Sequence, residues 1–249
     1  MARLGFFARA LIYMTIGALA ISAALGLGGT PRGSRGAMAT LLDAPLGRAL
    51  VAFIAAGLFG HAIWRAIAAV LDPEHRGKKL KAIAQRVRDG GVAIVYGALG
   101  VSAIKLILGH REVAADGENS KRWTARVLEN EGGPTVLWII AIAIVAYGLF
   151  ELYRAARAKL EWQAPRWVMN ISRFGIAARA IVFIVIGGLL ARAVRNHDPN
   201  QAGGLAQSLR KLFELGRIPF LLIAIGLIAY GAYELFNARF RKIELRQRF

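Results

Sequence analysis

The chain has 249 residues, of which 56% are hydrophobic, and a formal net charge of +18. This apolar content, with a mean hydropathy of +0.46, excludes a disordered chain and an ordinary water-soluble domain. No cysteine is present, which excludes disulfides, thiolate metal sites and cysteine nucleophiles.

Six segments along the chain are long and apolar enough to cross a bilayer. They lie at about 5–26, 48–70, 90–109, 135–155, 174–194 and 217–238. About 20 residues of helix span the roughly 30 Å of a hydrocarbon core. A soluble bundle would carry a polar stripe on each helix, whereas residues 50–60 and 137–146 are apolar on every face. The sequence therefore predicts an all-α membrane protein with six transmembrane helices.

Two motifs recur along these segments. The opening motif, Gly-x-x-x-Arg-x-x-x-Tyr/Phe-x-x-x-Gly, occurs as Gly5, Arg9, Tyr13, Gly17 and again as Gly175, Arg179, Phe183, Gly187. The closing motif, Tyr-Gly-x-Tyr/Phe-Glu-Leu, begins at Tyr147 and at Tyr230. Repetition at about 83–87 residues indicates that one small unit is copied. We predict one membrane domain over 1–249, built from helical hairpins at 3–72, 83–160 and 171–240, with a tail at 241–249.

The first and middle copies depart from these motifs. When Tyr96 is aligned with Tyr13, Arg88 and Val92 stand at the places of the opening Gly and Arg. The first copy closes with Phe59-Gly60-His61 and lacks the Glu. Three tandem helix pairs with these motifs resemble the bacterial membrane family catalogued as domain of unknown function 1206. The resemblance covers essentially the whole chain. It implies three two-helix repeats in a bacterial inner (plasma) membrane, and it brings no activity, cofactor or catalytic residue.

Basic residues concentrate in the linkers between repeats and in the tail. The densest cluster comprises Arg76, Lys78, Lys79, Lys81, Arg86 and Arg88. By the positive-inside rule, this distribution places both termini in the cytoplasm. Basic linkers beside a membrane attract anionic headgroups. We therefore expect anionic lipid, and not nucleic acid, as the partner of Arg76, Lys78, Lys79 and Lys81.

The loops on the opposite, outer side carry apolar residues at helical spacing. Residues 36–48 match residues 204–217, and the middle loop contains Trp123. We expect short amphipathic helices on the outer interface, with plain surface loops as the alternative. On the second span, Ala52, Ala56 and Gly60 form a small-residue row of the kind that lets membrane helices approach closely.

Six ionisable residues within the predicted spans are weighed as site candidates. Lys105 lies one turn from an outer end and can extend to water, and the other five lie toward the cytoplasmic ends: Arg9, His61, Glu151, Arg179 and Glu234. Such residues are functional-site candidates because each costs about 2.5–3.5 kcal/mol at mid-bilayer. Aromatic and glycine residues share their helix faces; these are Tyr13, Gly17, Tyr96, Tyr147, Phe183, Gly187 and Tyr230.

The third repeat carries both an Arg and a Glu, the first only the Arg and the second only the Glu. We expect Arg179 to pair with Glu234 inside the third hairpin and Arg9 to pair with Glu151 across repeats. The alternative is that these side chains extend to the cytoplasmic interface without partners.

The expected function is that of a non-catalytic accessory or scaffold component that binds lipid or a partner membrane protein. The alternative is a channel or transporter for small ions or solutes, with a path near the pseudo-threefold axis. An enzyme that uses Glu151 or Glu234 as acid or base would need a second catalytic group, which the sequence does not supply. No metal site or cofactor is predicted, since a single His61 with no spaced partner is more typical of a structural hydrogen-bonder than of a haem ligand.

Overall fold

The computed structural model describes residues 2–27, 30–71, 80–110, 117–157 and 165–240. These residues form α1 (Ala2–Ala24), α2 (Ser34–Leu42), α3 (Gly47–Val70), α4 (Leu80–Ile107), α5 (Glu118–Leu128), α6 (Gly133–Arg157), α7 (Arg166–Arg195), α8 (Leu205–Glu214) and α9 (Arg217–Phe240). A 3-10 turn, Pro199–Gln201, precedes α8. The described part of the chain contains no β-strand.

Six of these helices are long and apolar enough to cross a membrane: α1, α3, α4, α6, α7 and α9. The prediction of six spans is therefore confirmed, and the protein is a multi-pass membrane protein. The three short helices α2, α5 and α8 lie in the loops between the two spans of each repeat, which confirms the expected helical loops. We call the end of the bundle with these short helices the loop end. The opposite end, where α1 begins and α9 ends, is the basal end.

The spans form an incomplete ring. Each closing helix packs against the opening helix of the next repeat, as α3 on α4, α6 on α7 and, cyclically, α9 on α1. Within repeats, α1 packs on α3 and α7 on α9, but α4 and α6 of the middle repeat make no comparable contact. The ring is thus joined at five of its six sides. We call the unjoined side the α4/α6 seam.

Glycines of the opening motif allow neighbouring repeats to pack closely. A Cβ on Gly17 would lie 2.8 Å from the carbonyl oxygen of Ala224 on α9. A Cβ on Gly187 would lie 3.0 Å from the carbonyl oxygen of Ala141 on α6. Because both glycines touch the backbone of the neighbouring helix, any larger residue would push the pair apart. The last glycine of the opening motif therefore joins neighbouring repeats.

The first glycine of the opening motif joins the two helices of one repeat. Gly5 lies against the side chain of His61, and Gly175 lies against the backbone of Tyr230. In the middle repeat this position is Arg88, whose side chain is 44% exposed. An arginine is too large for helix contact at that distance. The substitution of glycine by Arg88 explains why α4 and α6 remain separate.

The closing helices show the same difference. Gly57 lies against Leu4 and Ala8 of α1, and Gly226, the equivalent residue of α9, lies against α7. The equivalent residue of α6 is Ala143, which is exposed. The predicted row of small residues on α3 is wrong in its register, because Ala52 and Ala56 are exposed and the close contact is made by Gly57.

The short helices close the loop end. Met38 of α2 and Leu209 of α8 are fully buried in the same apolar core as α1, α3 and α9. Arg35 of α2 donates to the hydroxyl of Ser102 on α4 at 3.2 Å. The Asn119 amide of α5, oriented with its oxygen toward Arg35, accepts from both guanidinium Nη atoms at 3.2 and 3.1 Å. These contacts tie the loops of repeats 1 and 2 together.

The loop before α8 is ordered by Asp198. Its carboxylate accepts hydrogen bonds from the Asn200 backbone N–H at 3.0 Å and from the Gln201 amide at 3.0 Å. The Asn200 backbone bond, followed by the Gln201 bond, lowers the pKa of Asp198 because both favour the charged carboxylate. This turn packs against α5, and so joins the loops of repeats 2 and 3 at the loop end.

Candidate functional site

Ionisable and tyrosine side chains meet inside the basal half of the ring. The members are Arg9, Tyr13, Tyr96, Tyr147, Glu151, Arg179, Tyr230 and Glu234. We call this group the charge cluster. It draws on α1, α4, α6, α7 and α9, so it forms only when all three repeats are assembled.

Arg9 is paired with the last helix of the chain. Its Nη2 lies 3.1 Å from Glu234 Oε2, with the two side chains only 11% and 3% exposed. The guanidinium also lies 4.8 Å from the ring centroid of Phe6 and 5.7 Å from that of Tyr96. Both separations fall within the range of cation–π attraction. Arg9 is therefore held by one carboxylate and two aromatic rings.

Arg179 is surrounded mainly by aromatic side chains. Its Nη1 donates to the Tyr230 hydroxyl at 2.8 Å, and its Nη2 donates to the Tyr147 hydroxyl at 3.3 Å. The rings of Tyr230 and Phe183 lie 4.7 and 4.9 Å from the guanidinium carbon. Glu151 Oε2 is 4.0 Å from Nη1. Two tyrosine hydroxyls, one carboxylate and two aromatic faces thus compensate its charge.

Tyr230 joins the two arginines into one network. Its hydroxyl accepts from Arg179 and donates to Glu234 Oε1 in a short hydrogen bond. Glu234 in turn pairs with Arg9. Tyr13 packs edge-on against Tyr230, with ring centroids 4.8 Å apart. This chain of contacts connects repeats 1 and 3 through the middle of the ring.

The predicted pairing of the arginines and glutamates is wrong. Arg9 pairs with Glu234 rather than with Glu151, and Arg179 lies near Glu151 while reaching Glu234 only through Tyr230. The reason is the cyclic packing, which sets each opening helix against the closing helix of the preceding repeat. The alternative of side chains extending to the interface fails for Arg9 and Arg179, which are 11% and 14% exposed.

His61 lies beside this cluster. It is 2% exposed and packs edge-on against Tyr96, with centroids 4.9 Å apart. Its contact with Gly5 matches that of Tyr230 with Gly175. His61 therefore occupies the tyrosine position of the closing motif. Aligning Phe59 with that tyrosine, as the sequence suggests, is wrong by two residues.

The corrected alignment exposes a third ion pair that sequence reasoning missed. Arg65, four residues after His61, stands where the other repeats have Glu151 and Glu234. Its Nη1 donates to Oδ1 of Asp89 on α4 at 2.8 Å, and the Asp89 side chain is 0% exposed. Each contact between an opening helix and the closing helix of the preceding repeat thus contains an ion pair. Between α3 and α4 the signs are reversed, because the arginine lies on the closing helix. The signal available in the sequence was Asp89, an acidic residue three positions before Val92, which stands where the other repeats have arginine.

A second missed feature is an arginine ten residues before the aromatic of each opening motif. Arg86 Nε and Nη2 donate to the carbonyls of Ala69 and Val70 at 2.7 and 2.8 Å. Arg173 makes the equivalent bonds to Ala155 and Ala156. Each arginine satisfies carbonyls that the last turn of a helix leaves open. Arg3 holds this position in the first repeat, and its side chain is outside the described residues.

The chemical capacity of the charge cluster follows from its charges. Two arginines and two glutamates lie within it with tyrosines between them, and the half-exposed Arg154, 3.0 Å from Glu151, adds a third guanidinium at its edge. Among the described residues, no group of three His, Asp or Glu side chains is placed to hold a metal ion. The predicted lipid contacts Arg76, Lys78 and Lys79, and the tail 241–249, lie outside the described residues, as does the side chain of Lys81. The contacts of the charge cluster join helices of different repeats inside the bundle.

Comparisons with known proteins agree with this architecture. A sequence profile of the family described as Domain of Unknown Function (DUF1206) matches residues 4–72, 90–158 and 174–241. The chain is 29% identical over 242 residues to a Bacillus subtilis (strain 168) protein described as "Uncharacterized protein YxxB", covering 93% of this chain and 86% of the relative. No solved structure matches. Since the three matches correspond to the three hairpins of the ring, this chain belongs to the DUF1206 family as three tandem copies of its repeat.

Proposed function

We propose that this protein is a non-catalytic accessory component of a bacterial plasma membrane, and that it binds lipid laterally in the α4/α6 seam. The basic linkers and tail, together with a relative from a bacterium, support that membrane with both termini in the cytoplasm. The observation that carries the proposal is that residues of the seam are exposed at positions whose equivalents in the other two repeats are buried.

Two positions of α4 illustrate this difference. Directly before the motif aromatic, Ile12 and Val182 are 3% and 2% exposed, whereas Val95 is 57% exposed. Five residues before the aromatic, Ala8 and Ala178 are buried, whereas Gly91 is exposed. The equivalents on α1 and α7 are covered by the closing helix of the same repeat. On α4, the face that would receive α6 is left open.

A lipid is the occupant that these contacts favour. Exposed positions on the two sides of the seam include Gly91, Val95 and Ala143, which are small or aliphatic. Such a surface fits an acyl chain without leaving a polar group unsatisfied. The seam is also continuous with the lipid-facing sides of α4 and α6, so an acyl chain reaches it directly from the bilayer.

Transport receives less support from the same geometry. Among the described residues, the buried ionisable side chains all lie in the basal half. On the loop side of the charge cluster, the core includes Ile16, Val51, Leu106 and Phe220, each at most 1% exposed, and its buried polar side chains, Ser102, Thr124 and Ser208, are not ionisable. A proton relay or ion path through the bilayer is normally lined by ionisable groups on both sides. An internally paired cluster below an apolar core favours a structural role for the cluster.

Native mass spectrometry of the detergent-purified protein tests this proposal. We expect wild type to retain one lipid that Gly91→Phe displaces, because the new ring fills the seam. Gly188→Phe is the matched control: it also adds a ring to a helix glycine with no described atom near its Cβ position, but on α7. Equal lipid retention by both variants would refute the proposal. Loss of a co-purifying protein, instead of a lipid, from Gly91→Phe would assign the seam to a partner helix.

A further inference from the structure

Two half-exposed arginines flank the basal end of the seam. Arg88 of α4 is 44% exposed, and Arg154 of α6 is 45% exposed. Arg88 lies about two turns before Tyr96 and Arg154 about two turns after Tyr147, which places each roughly 10–12 Å from the tyrosine toward the basal end. At the basal end, α4 begins at Leu80 and α6 ends at Arg157, each within about two turns of its arginine. The arginines therefore lie near the depth at which lipid headgroups begin.

Each of these arginines shares its carboxylate with another arginine. Asp89 lies 3.1 Å from Arg88 and 2.8 Å from Arg65. On the other side of the seam, Glu151 lies 3.0 Å from Arg154 and 4.0 Å from Arg179. Around Glu151, one carboxylate faces two guanidiniums, which leaves one positive charge in excess beside the seam.

The excess charge is presented at the seam. In both groups the second arginine is the more enclosed, since Arg65 is 24% and Arg179 is 14% exposed. The pair of Arg9 and Glu234 is balanced and buried. The half-exposed Arg88 and Arg154 are therefore the guanidiniums that an external anion would meet first.

The residue that opens the seam also contributes to its charge. Arg88 stands at the position of Gly5 and Gly175, the glycines that join the two helices of the other repeats. One substitution thus separates α4 from α6 and supplies a cation to the gap. A phosphate diester is a suitable partner, since guanidinium binds phosphate oxygens through strong, charge-assisted hydrogen bonds.

We propose that the occupant of the α4/α6 seam is an anionic phospholipid, with its phosphate between Arg88 and Arg154 and an acyl chain along Gly91 and Val95. This inference rests on the proposed function and names the lipid class. The headgroup contacts on the basic linker are separate from this site, which lies between two membrane-spanning helices.

Native mass spectrometry with added phosphatidylglycerol or phosphatidylcholine tests the inference. We expect wild type to retain phosphatidylglycerol in preference to phosphatidylcholine, and Arg88→Gln and Arg154→Gln each to reduce that preference about fivefold. Arg239→Gln is the control, because Arg239 is also an exposed basal arginine but lies on α9, away from the seam. Arg88→Lys should keep most of the preference, which separates loss of charge from a folding defect.

The possible results separate this inference from the proposed function. If Gly91→Phe displaces lipid while wild type retains both lipids equally, the seam binds lipid without selecting its charge and the inference fails. If Gly91→Phe displaces no lipid, the proposed function fails. If excess inorganic phosphate removes phosphatidylglycerol completely, the site recognises phosphate alone and the assignment to a lipid is wrong.

Discussion

The ion pair between Arg9 and Glu234 provides the sharpest test of the cyclic packing. We consider Glu234→Gln, which removes the negative charge but keeps a carbonyl oxygen that can accept from Tyr230. The variant leaves the guanidinium of Arg9 inside the ring, facing neutral groups. The matched change is Arg9→Gln, and the double variant completes a thermodynamic cycle.

The expected magnitude follows from the distance and the burial. At 3.1 Å, two unit charges attract by about 5 kcal/mol at an effective dielectric constant near 20. Desolvation offsets part of this attraction, but removal of one partner leaves the other charge buried, which costs about 3–5 kcal/mol. We expect each single variant to lose about that much. The double variant should lose about 2–3 kcal/mol less than the sum of the two.

The measurement is the free energy of unfolding in mixed micelles as the fraction of denaturing detergent is raised. A second cycle, Arg9→Gln with Glu151→Gln, is the control. Arg9 has no described contact with Glu151, so that cycle should be additive within about 0.5 kcal/mol. The reasoning is refuted if the Arg9–Glu234 cycle is additive, or if coupling appears between Arg9 and Glu151 instead.

Three further predictions use the same unfolding measurement. Asp89→Asn should lose about 3 kcal/mol and Arg65→Gln should mask much of the loss, because Asp89 is fully buried and pairs with Arg65; additive losses would contradict the sign-reversed third pair. Leu46, which precedes α3 with φ 60°, should tolerate glycine with a gain of about 1 kcal/mol, because a left-handed backbone is strained for leucine; a loss would show that its side chain is needed. Gly17→Ala should lose about 1–3 kcal/mol, since its Cβ would meet the α9 backbone. Gly188→Ala, with open space at the Cβ, should gain up to about 1 kcal/mol, and equal effects at the two glycines would argue against the α1–α9 contact.

The positions of the cluster residues along their helices could be predicted from the sequence. Arg9 and Arg179 occupy the same place in the opening motif, and Glu151 and Glu234 the same place in the closing motif. Because the opening helices run in one direction and the closing helices in the other, these residues must lie at one end of the bundle. Which Arg meets which Glu could not be predicted. The motif is alike in repeats 1 and 3, so local spacing does not distinguish the partners.

The ion pair of Arg65 with Asp89, in which the signs are reversed, was missed for a different reason. Without the glycine contacts, Phe59-Gly60 matches Tyr147-Gly148 by residue type, and this match moves Arg65 away from the glutamate position. Only the contacts of Gly5 and Gly175 with α3 and α9 reveal that His61 is the equivalent residue. A shift of two residues along a helix rotates the side chains by about 200° about its axis. An alignment that is wrong by two residues therefore implies that Arg65 points away from α4.

The sequence by itself determined the class of protein, the six spans and the threefold repetition, because hydropathy and periodicity are properties of consecutive residues. Only the tertiary structure decided that each repeat packs on the next in cyclic order, with the last repeat on the first. It also decided that Arg9 pairs with the last helix, and that α4 and α6 remain separate. Those outcomes depend on how closely two backbones approach. Between the two helices of one repeat, glycine at the contact position permits close approach, whereas Arg88 prevents it. That contact is recognisable only when both helices are in place.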